Sequence, residues 1–193
     1  HATGRREPVC GIAGKEHTSR AHGSRNLGGH VPGAHVDHFY CGTWVALKGL
    51  KDTVESTASV DGSIDRITPI IPADFVLPTG GLNIRPGDPV LAQEERLQES
   101  KRDAMLAYIR ANRLNRIITS GGANPKIGVI TVGKSYLDVR QAMDDLGIDE
   151  VRANDLGLRL YKIAAPWPLE PQGLREFADG LNLIIVVEEK RSL

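Results

Sequence analysis

The sequence predicts an α/β fold, a mainly parallel sheet with crossover helices, on three observations. From Gly128 to Lys190 the chain alternates strand, turn, helix, strand, turn, helix, strand, the order that a parallel sheet requires. Its strand candidates are Ile127–Val132, a β-branched run suited to a strand buried on both faces, then Leu158–Ile163 and Leu183–Val187. The segments between them carry helix punctuation. Ser135 stands as a cap before Leu137, Val139, Ala142, Met143 and Leu146, and Gly147 ends that helix. Pro171 opens a second helix through Leu174, Phe177 and Ala178, which stops at Gly180. Pro166-Trp167-Pro168 turns the chain between them, with Trp167 expected as a packed anchor. Little follows the last strand to cover or extend the sheet, so the unit is expected to be part of something larger.

Upstream, all six histidines lie within the first 38 residues, among Gly-Gly and Gly-Ser pairs and without apolar periodicity. Residues 1–41 are therefore expected to be poorly ordered. Trp44, Leu47, Leu50 and Val54 recur every three or four residues, which predicts an amphipathic helix ending before Ser59. Prolines 69, 72, 78, 86 and 89, with Gly80-Gly81, forbid continuous helix or central strand and predict a long ordered loop. A strong helix is expected from about Leu91 to Leu114, burying Leu97, Met105, Leu106 and Ile109, with Asp88-Pro89 as its cap and first-turn pair. The short apolar piece Ile117-Ile118 and a Gly-Gly-Ala-Asn-Pro turn then lead into the compact unit.

The chain has 193 residues, 40% of them hydrophobic and 25% charged, with zero formal net charge. That is enough for one substantial core, and it gives no electrostatic reason to expect nucleic acid or an anionic membrane as a partner. The apolar runs fall far short of the roughly 20 residues needed to span a bilayer, so a cytoplasmic location is the default expectation. Only Cys10 and Cys41 are present, too few for a disulfide scaffold or a four-cysteine iron–sulfur site. With His1 in place of Met and an abrupt C-terminus, a fragment or processed piece is expected.

Candidate chemistry is sparse. His30, His35, His38 and Cys41 mix ligand types that zinc accepts, but their spacing matches no defined site and disorder is the expectation. Gly128-Val129-Ile130-Thr131-Val132-Gly133-Lys134-Ser135 satisfies the phosphate-loop pattern formally. Yet Val129 to Val132 reads as buried strand, and Asn124-Pro125-Lys126 ahead of it reads as a turn where a strand belongs. The alternatives kept open are a phosphate-loop nucleotide hydrolase, and a non-enzymatic anion-binding or interaction module using Gly133-Lys134-Ser135 at the strand's carboxyl end. No paired carboxylates stand out, and no histidine follows His38 to build a Ser–His–Asp arrangement.

From Gly42 onward several segments carry a family likeness. They are Gly42-Thr43-Trp44-Val45 through Asp52-Thr53-Val54-Glu55-Ser56, Leu77-Pro78-Thr79-Gly80-Gly81-Leu82-Asn83-Ile84-Arg85, Ala111-Asn112-Arg113-Leu114, Gly133-Lys134-Ser135-Tyr136-Leu137-Asp138-Val139, and Pro166-Trp167-Pro168-Leu169-Glu170 with Val186-Val187-Glu188-Glu189-Lys190-Arg191. In their order and spacing the chain resembles the large (alpha) subunits of the indolepyruvate:ferredoxin oxidoreductases, within the 2-oxoacid:ferredoxin oxidoreductase family. The resemblance implies an enzyme that oxidatively decarboxylates an aryl 2-oxo acid to an acyl-CoA. The implied groups are thiamine diphosphate, Mg, 4Fe-4S clusters, coenzyme A and ferredoxin, with the remaining domains or subunits as partners. It implies that 42–60 end a pyrimidine-binding domain, that 61–123 form a loop and long connecting helix, and that 124–193 form a unit similar to the transketolase C-terminal domain.

The resemblance also implies that thiamine contacts and cluster cysteines lie outside this stretch. No catalytic, cofactor-binding or metal-binding residue is carried over, the isolated chain is expected to be inactive, and its role is architectural, packing thiamine-binding domains together and against a second copy. Before Gly42 the family's apolar helical sequence is replaced by the His/Gly/Arg stretch. A frameshifted coding sequence is the expectation there, and translating the other frames tests it.

Overall fold

The computed structural model describes residues 11–12, 40–48, 55, 57, 68–83 and 85–189. Most of residues 1–41, together with Leu50 and Val54, lie outside the described residues. A two-residue antiparallel ladder joins β1 (Gly11–Ile12) to β2 (Leu47–Lys48). The helix expected through Trp44 and Leu47 is not formed at those positions. Tyr40 and Cys41 are helical, Gly42 takes a left-handed φ of 64°, and the chain leaves extended toward β2 with Trp44 exposed. Leu47 is instead paired with Ile12 in the β1–β2 ladder, so extended pairing takes the place of the helix there. Residues 68–83 and 85–89 are irregular, as the prolines dictate.

The long helix begins as α1 (Val90–Arg96), passes through a π-helical turn (Leu97–Lys101) and continues as α2 (Arg102–Ala111). Pro89 holds the cap position without a side-chain cap bond. Asp88, ahead of the helix, instead pairs with Arg96 in its last turn. Met105 and Ile109 are buried as expected, together with Ala104, Ala107 and Tyr108, whereas Leu97 and Leu106 are half-buried. The helix stops where Arg113 turns to a φ of 48° and Leu114 N–H donates back to the Ile109 carbonyl at 3.1 Å, a left-handed C-terminal cap. Tyr40, Cys41, Leu82, Met105 and Tyr108 form a core against this helix, with Phe75 and Leu114 packed on it.

A four-stranded sheet follows, built from β3 (Arg116–Ser120), β4 (Ile127–Val132), β5 (Leu158–Ile163) and β6 (Leu183–Val187) in the order β3-β5-β4-β6. Both pairings of β4, with β5 and with β6, are parallel, while β3 runs antiparallel to β5 with an irregularity between Ile117 and Thr119. The three expected strands are thus present at their expected bounds, and the apolar piece at Ile117-Ile118 proves to be a fourth. The sheet is mixed.

Two crossovers cover opposite faces. From β4 the chain passes through α3 (Ser135–Asp145) and α4 (Glu150–Leu156) to β5, placing Tyr136, Met143 and Ala153 against Leu160 and Val129. From β5 it returns over the other face through α5 (Pro171–Ala178) to β6, placing Phe177 and Leu174 against Ile130, Tyr161 and Ile163. This division is the period-two alternation of strand side chains. Within α3, Ser135 is the first helical residue and makes no cap bond, because Gly133 and Lys134 have already started the turn. Helix α4 was not anticipated. Asp149 caps it by accepting from Arg152 N–H at 2.8 Å, and Gly157 closes it at a φ of 70°. On β6, Leu183, Ile184, Ile185 and Val186 remain between 41% and 52% exposed, so this edge is not shielded by any described residue.

Candidate functional site

In an open sheet whose consecutive crossovers take opposite faces, ligands bind where the carboxyl ends of adjacent strands diverge. Here that point is the crest of β4 and β5, from which Gly133-Lys134-Ser135 and Ala164-Ala165 lead away. The donors an anion needs are already engaged on one side of it. Asn115 Oδ1 accepts from the backbone N–H groups of Ala164 and Ala165, both at 2.9 Å, and its Nδ2 donates to the Ala165 carbonyl at 3.1 Å. On the other side Lys134 Nζ lies 2.8 and 2.9 Å from the two carboxylate oxygens of Asp138. Behind the crest, the ammonium of buried Lys162 sits 4.5 Å above the Tyr136 ring centroid, a cation–π contact that suits its partly desolvated position.

The phosphate-loop reading is overturned by this geometry. Gly128 to Val132 is the central strand, with its backbone paired to β5 on one side and β6 on the other. A backbone so engaged cannot wrap phosphates with its amides. His30, His35 and His38 lie outside the described residues, and Cys41 is fully buried in the apolar core beside Tyr40. Among the described residues no group of three or more His, Cys, Asp or Glu side chains is placed to hold a metal ion. Trp167, expected as an anchor, is 48% exposed, while Pro168 and Glu170 next to it are buried.

Sequence reasoning missed the buried polar cluster that surrounds Glu170. This carboxylate is 2% exposed and caps α5, accepting from Gln172 N–H at 3.0 Å and Gly173 N–H at 2.7 Å. It also receives Arg110 Nη1 at 3.3 Å, and the same guanidinium pairs with Asp74 through Nε and Nη2. That hydrogen bond to Arg110 holds the Asp74 carboxyl below the usual carboxylate range, against a smaller opposing effect of desolvation. Burial, with help from the Glu170 and Glu176 charges, pushes the Tyr161 phenol up to about 12. The Tyr161 hydroxyl is buried and has no hydrogen-bond partner among the described residues. An unpaired buried hydroxyl carries a desolvation cost of about 1 kcal/mol or more, so Tyr161→Phe is expected to leave stability unchanged or raise it by up to about 1 kcal/mol. Urea unfolding checks this, and a loss would reveal a hidden partner.

One cleft, of about 350 Å³, opens between the Pro78–Gly81 turn and the π-helical turn. Arg85 and Arg96 line it together with Glu95 and Glu99, so its walls carry no net charge. Arg85 is bonded to the Gly80 carbonyl at 2.9 Å and Arg96 to Asp88. Nothing in it selects a charged ligand.

The indolepyruvate oxidoreductase domain family matches residues 117–193, the stretch that holds the sheet from its first strand onward. Residues 117–193 are thus similar to the indolepyruvate oxidoreductase domain. Among curated relatives, the chain is 39% identical over 70 residues to indolepyruvate oxidoreductase subunit IorA of Pyrococcus horikoshii. It is 37% identical over 70 residues to the Pyrococcus abyssi subunit and 33% over 69 residues to that of Thermococcus kodakarensis. Each match covers 36% of this chain and 10% of the relative. No solved structure matches significantly. The matched stretch therefore coincides with the α/β unit, including the buried Glu170 cap. No helix among the described residues is long and apolar enough to cross a membrane.

Proposed function

We propose that this chain supplies an architectural α/β unit, similar to the transketolase C-terminal domain, to a thiamine diphosphate-dependent 2-oxoacid:ferredoxin oxidoreductase. The parent enzyme converts an aryl 2-oxo acid such as indolepyruvate, with coenzyme A, to an acyl-CoA and carbon dioxide, delivering two electrons to ferredoxin. What carries this reading is the family match over residues 117–193, which falls on the sheet unit. The chemistry belongs to other parts of the assembly. Two cysteines cannot provide the four thiolates of an iron–sulfur cluster, and the described residues do not fit a metal-bound diphosphate, for want of any converging set of ligands. This chain's own part is to hold rigid surfaces in place: the sheet closed by α3 to α5, and the long helix joined to it through Arg110 and Asn115.

A chimera tests the proposal. In the Pyrococcus horikoshii subunit, the roughly 70 matching residues are replaced by those of this chain, and indolepyruvate-dependent reduction of a viologen dye is measured with the other subunit present. The expected result is retained activity in the chimera and none for this chain alone. A chimera that folds and assembles without activity would count against it. So would nucleotide-dependent thermal stabilisation of this chain that disappears in Lys134→Ala, the mark of the hydrolase alternative.

A further inference from the structure

The end of α2 grips two loops at once. Arg110 bonds Asp74 in the loop 68–83 and Glu170 at the start of α5. Asn112 closes a two-way bond with Ile70, accepting from its N–H at 2.8 Å and donating to its carbonyl at 2.9 Å. Asn115 holds Ala164 and Ala165. The loop 68–83 in turn lies over the smaller core, where Phe75 and Leu82 cover Tyr40, Cys41, Met105 and Tyr108. It is a strap, and Cys41 beneath it is wholly buried.

We propose that Arg110 is a latch through which Glu170, on the sheet unit, sets how tightly the strap closes over Cys41. All hydrogen bonds and ion pairs of the Glu170 carboxylate go to Arg110 and to the first turn of α5. Its effect on the strap must therefore pass through the guanidinium. The two carboxylates do not compete for donors, because Arg110 offers Nη1 to Glu170 and Nε with Nη2 to Asp74. Glu170 is almost fully buried and fixed by two backbone N–H groups, whereas Asp74 is about half exposed. The buried partner orients the planar fork, and a fork already oriented loses less rotamer freedom when the exposed partner binds. Movement of the α5 start would then loosen the strap on the far side of α2. This inference rests on the geometry alone and stands whether or not the oxidoreductase assignment does.

The test uses the full chain carrying Cys10→Ser, so that Cys41 is the one thiol, and measures its rate of alkylation by iodoacetamide under native conditions. Asp74→Asn and Arg110→Ala are each expected to raise the rate about tenfold, the size of a partly exposed charge-assisted bond. Glu170→Gln is expected to raise it about threefold or more with Arg110 present and not at all in the Arg110→Ala background, the signature of coupling through one shared group. Arg110→Lys, which keeps the charge but loses the fork, should abolish the Glu170 effect in the same way. An unchanged rate in Glu170→Gln with Arg110 intact would overturn the latch. An equal increase with and without Arg110 would overturn it too, by showing general loosening of the fold.

Discussion

Gly128→Ala should destabilise the chain by about 3 kcal/mol, at the upper end of what overpacking a filled core costs. The position has no room for a methyl group. A Cβ there would lie 2.4 Å from Leu181 Cδ1 and 2.6 Å from Phe177 Cζ. Phe177 cannot retreat easily, because it is fully buried and its ring lies tilted against Tyr161 with centroids 5.0 Å apart. Leu181 also packs on this core, beside the turn that leads into β6. The glycine therefore exists so that α5 and its exit can press onto the middle strand, with the first position of a phosphate loop only a formal coincidence. Urea unfolding followed by circular dichroism would read the loss as a lowered midpoint with an unchanged slope. A variant that kept its stability would place Gly128 in open space, and the interior-strand assignment would fall with it.

That strand was legible because aliphatic runs bounded by glycine and turn residues are a local signal, which β4 and β6 carry, while β5 alternates apolar with charged or aromatic residues after Gly157. Strand β3 carries it weakly: Arg116 to Ser120 has two isoleucines in five residues, and its antiparallel place beside β5 depends on a partner some 40 residues away. Helix α4 hid for a different reason. It has seven residues and buries only Ala153, so no apolar stripe announces it, although Asp149 and Gly157 bracket it as cap and stop. The helix expected through Trp44 and Leu47 is not formed because Leu47–Lys48 pairs with Gly11–Ile12, a partner remote in sequence that a local spacing does not record. The π-helical turn in the long helix has no sequence signature. Nor has the Glu170 cluster, since an ion pair joining residues 60 apart in sequence is written nowhere in local pattern. Glu170 before Pro171 did offer one clue, an acceptor ahead of a first-turn proline.

Gly42→Ala is expected to have the largest effect of any single methyl group in the smaller core, about 4 kcal/mol or more, in the class of changes that force backbone strain. Two independent obstacles meet at this position. Its φ of 64° belongs to the left-handed region, where a side chain costs roughly 1 kcal/mol or more. More severely, a Cβ would lie 1.6 Å from the Leu82 carbonyl oxygen, a backbone atom that no rotamer change can move aside. Relief requires displacing the strap itself, and Leu82, 2% exposed, is the residue that plugs it into the core. The Gly42 carbonyl meanwhile receives the Lys101 ammonium at 2.7 Å. Burial, with repulsion from Arg96 and Arg85, lowers the pKa of that ammonium, so turning the carbonyl away would leave a partly desolvated charge without its acceptor. Thermal unfolding of the variant should show a lower midpoint, and Cys41 should alkylate at a rate near that of the unfolded chain while β4 and β5 amides stay protected from hydrogen exchange. If the sheet amides lost protection together with Cys41, the two cores would be one cooperative unit, and the strap could not open by itself.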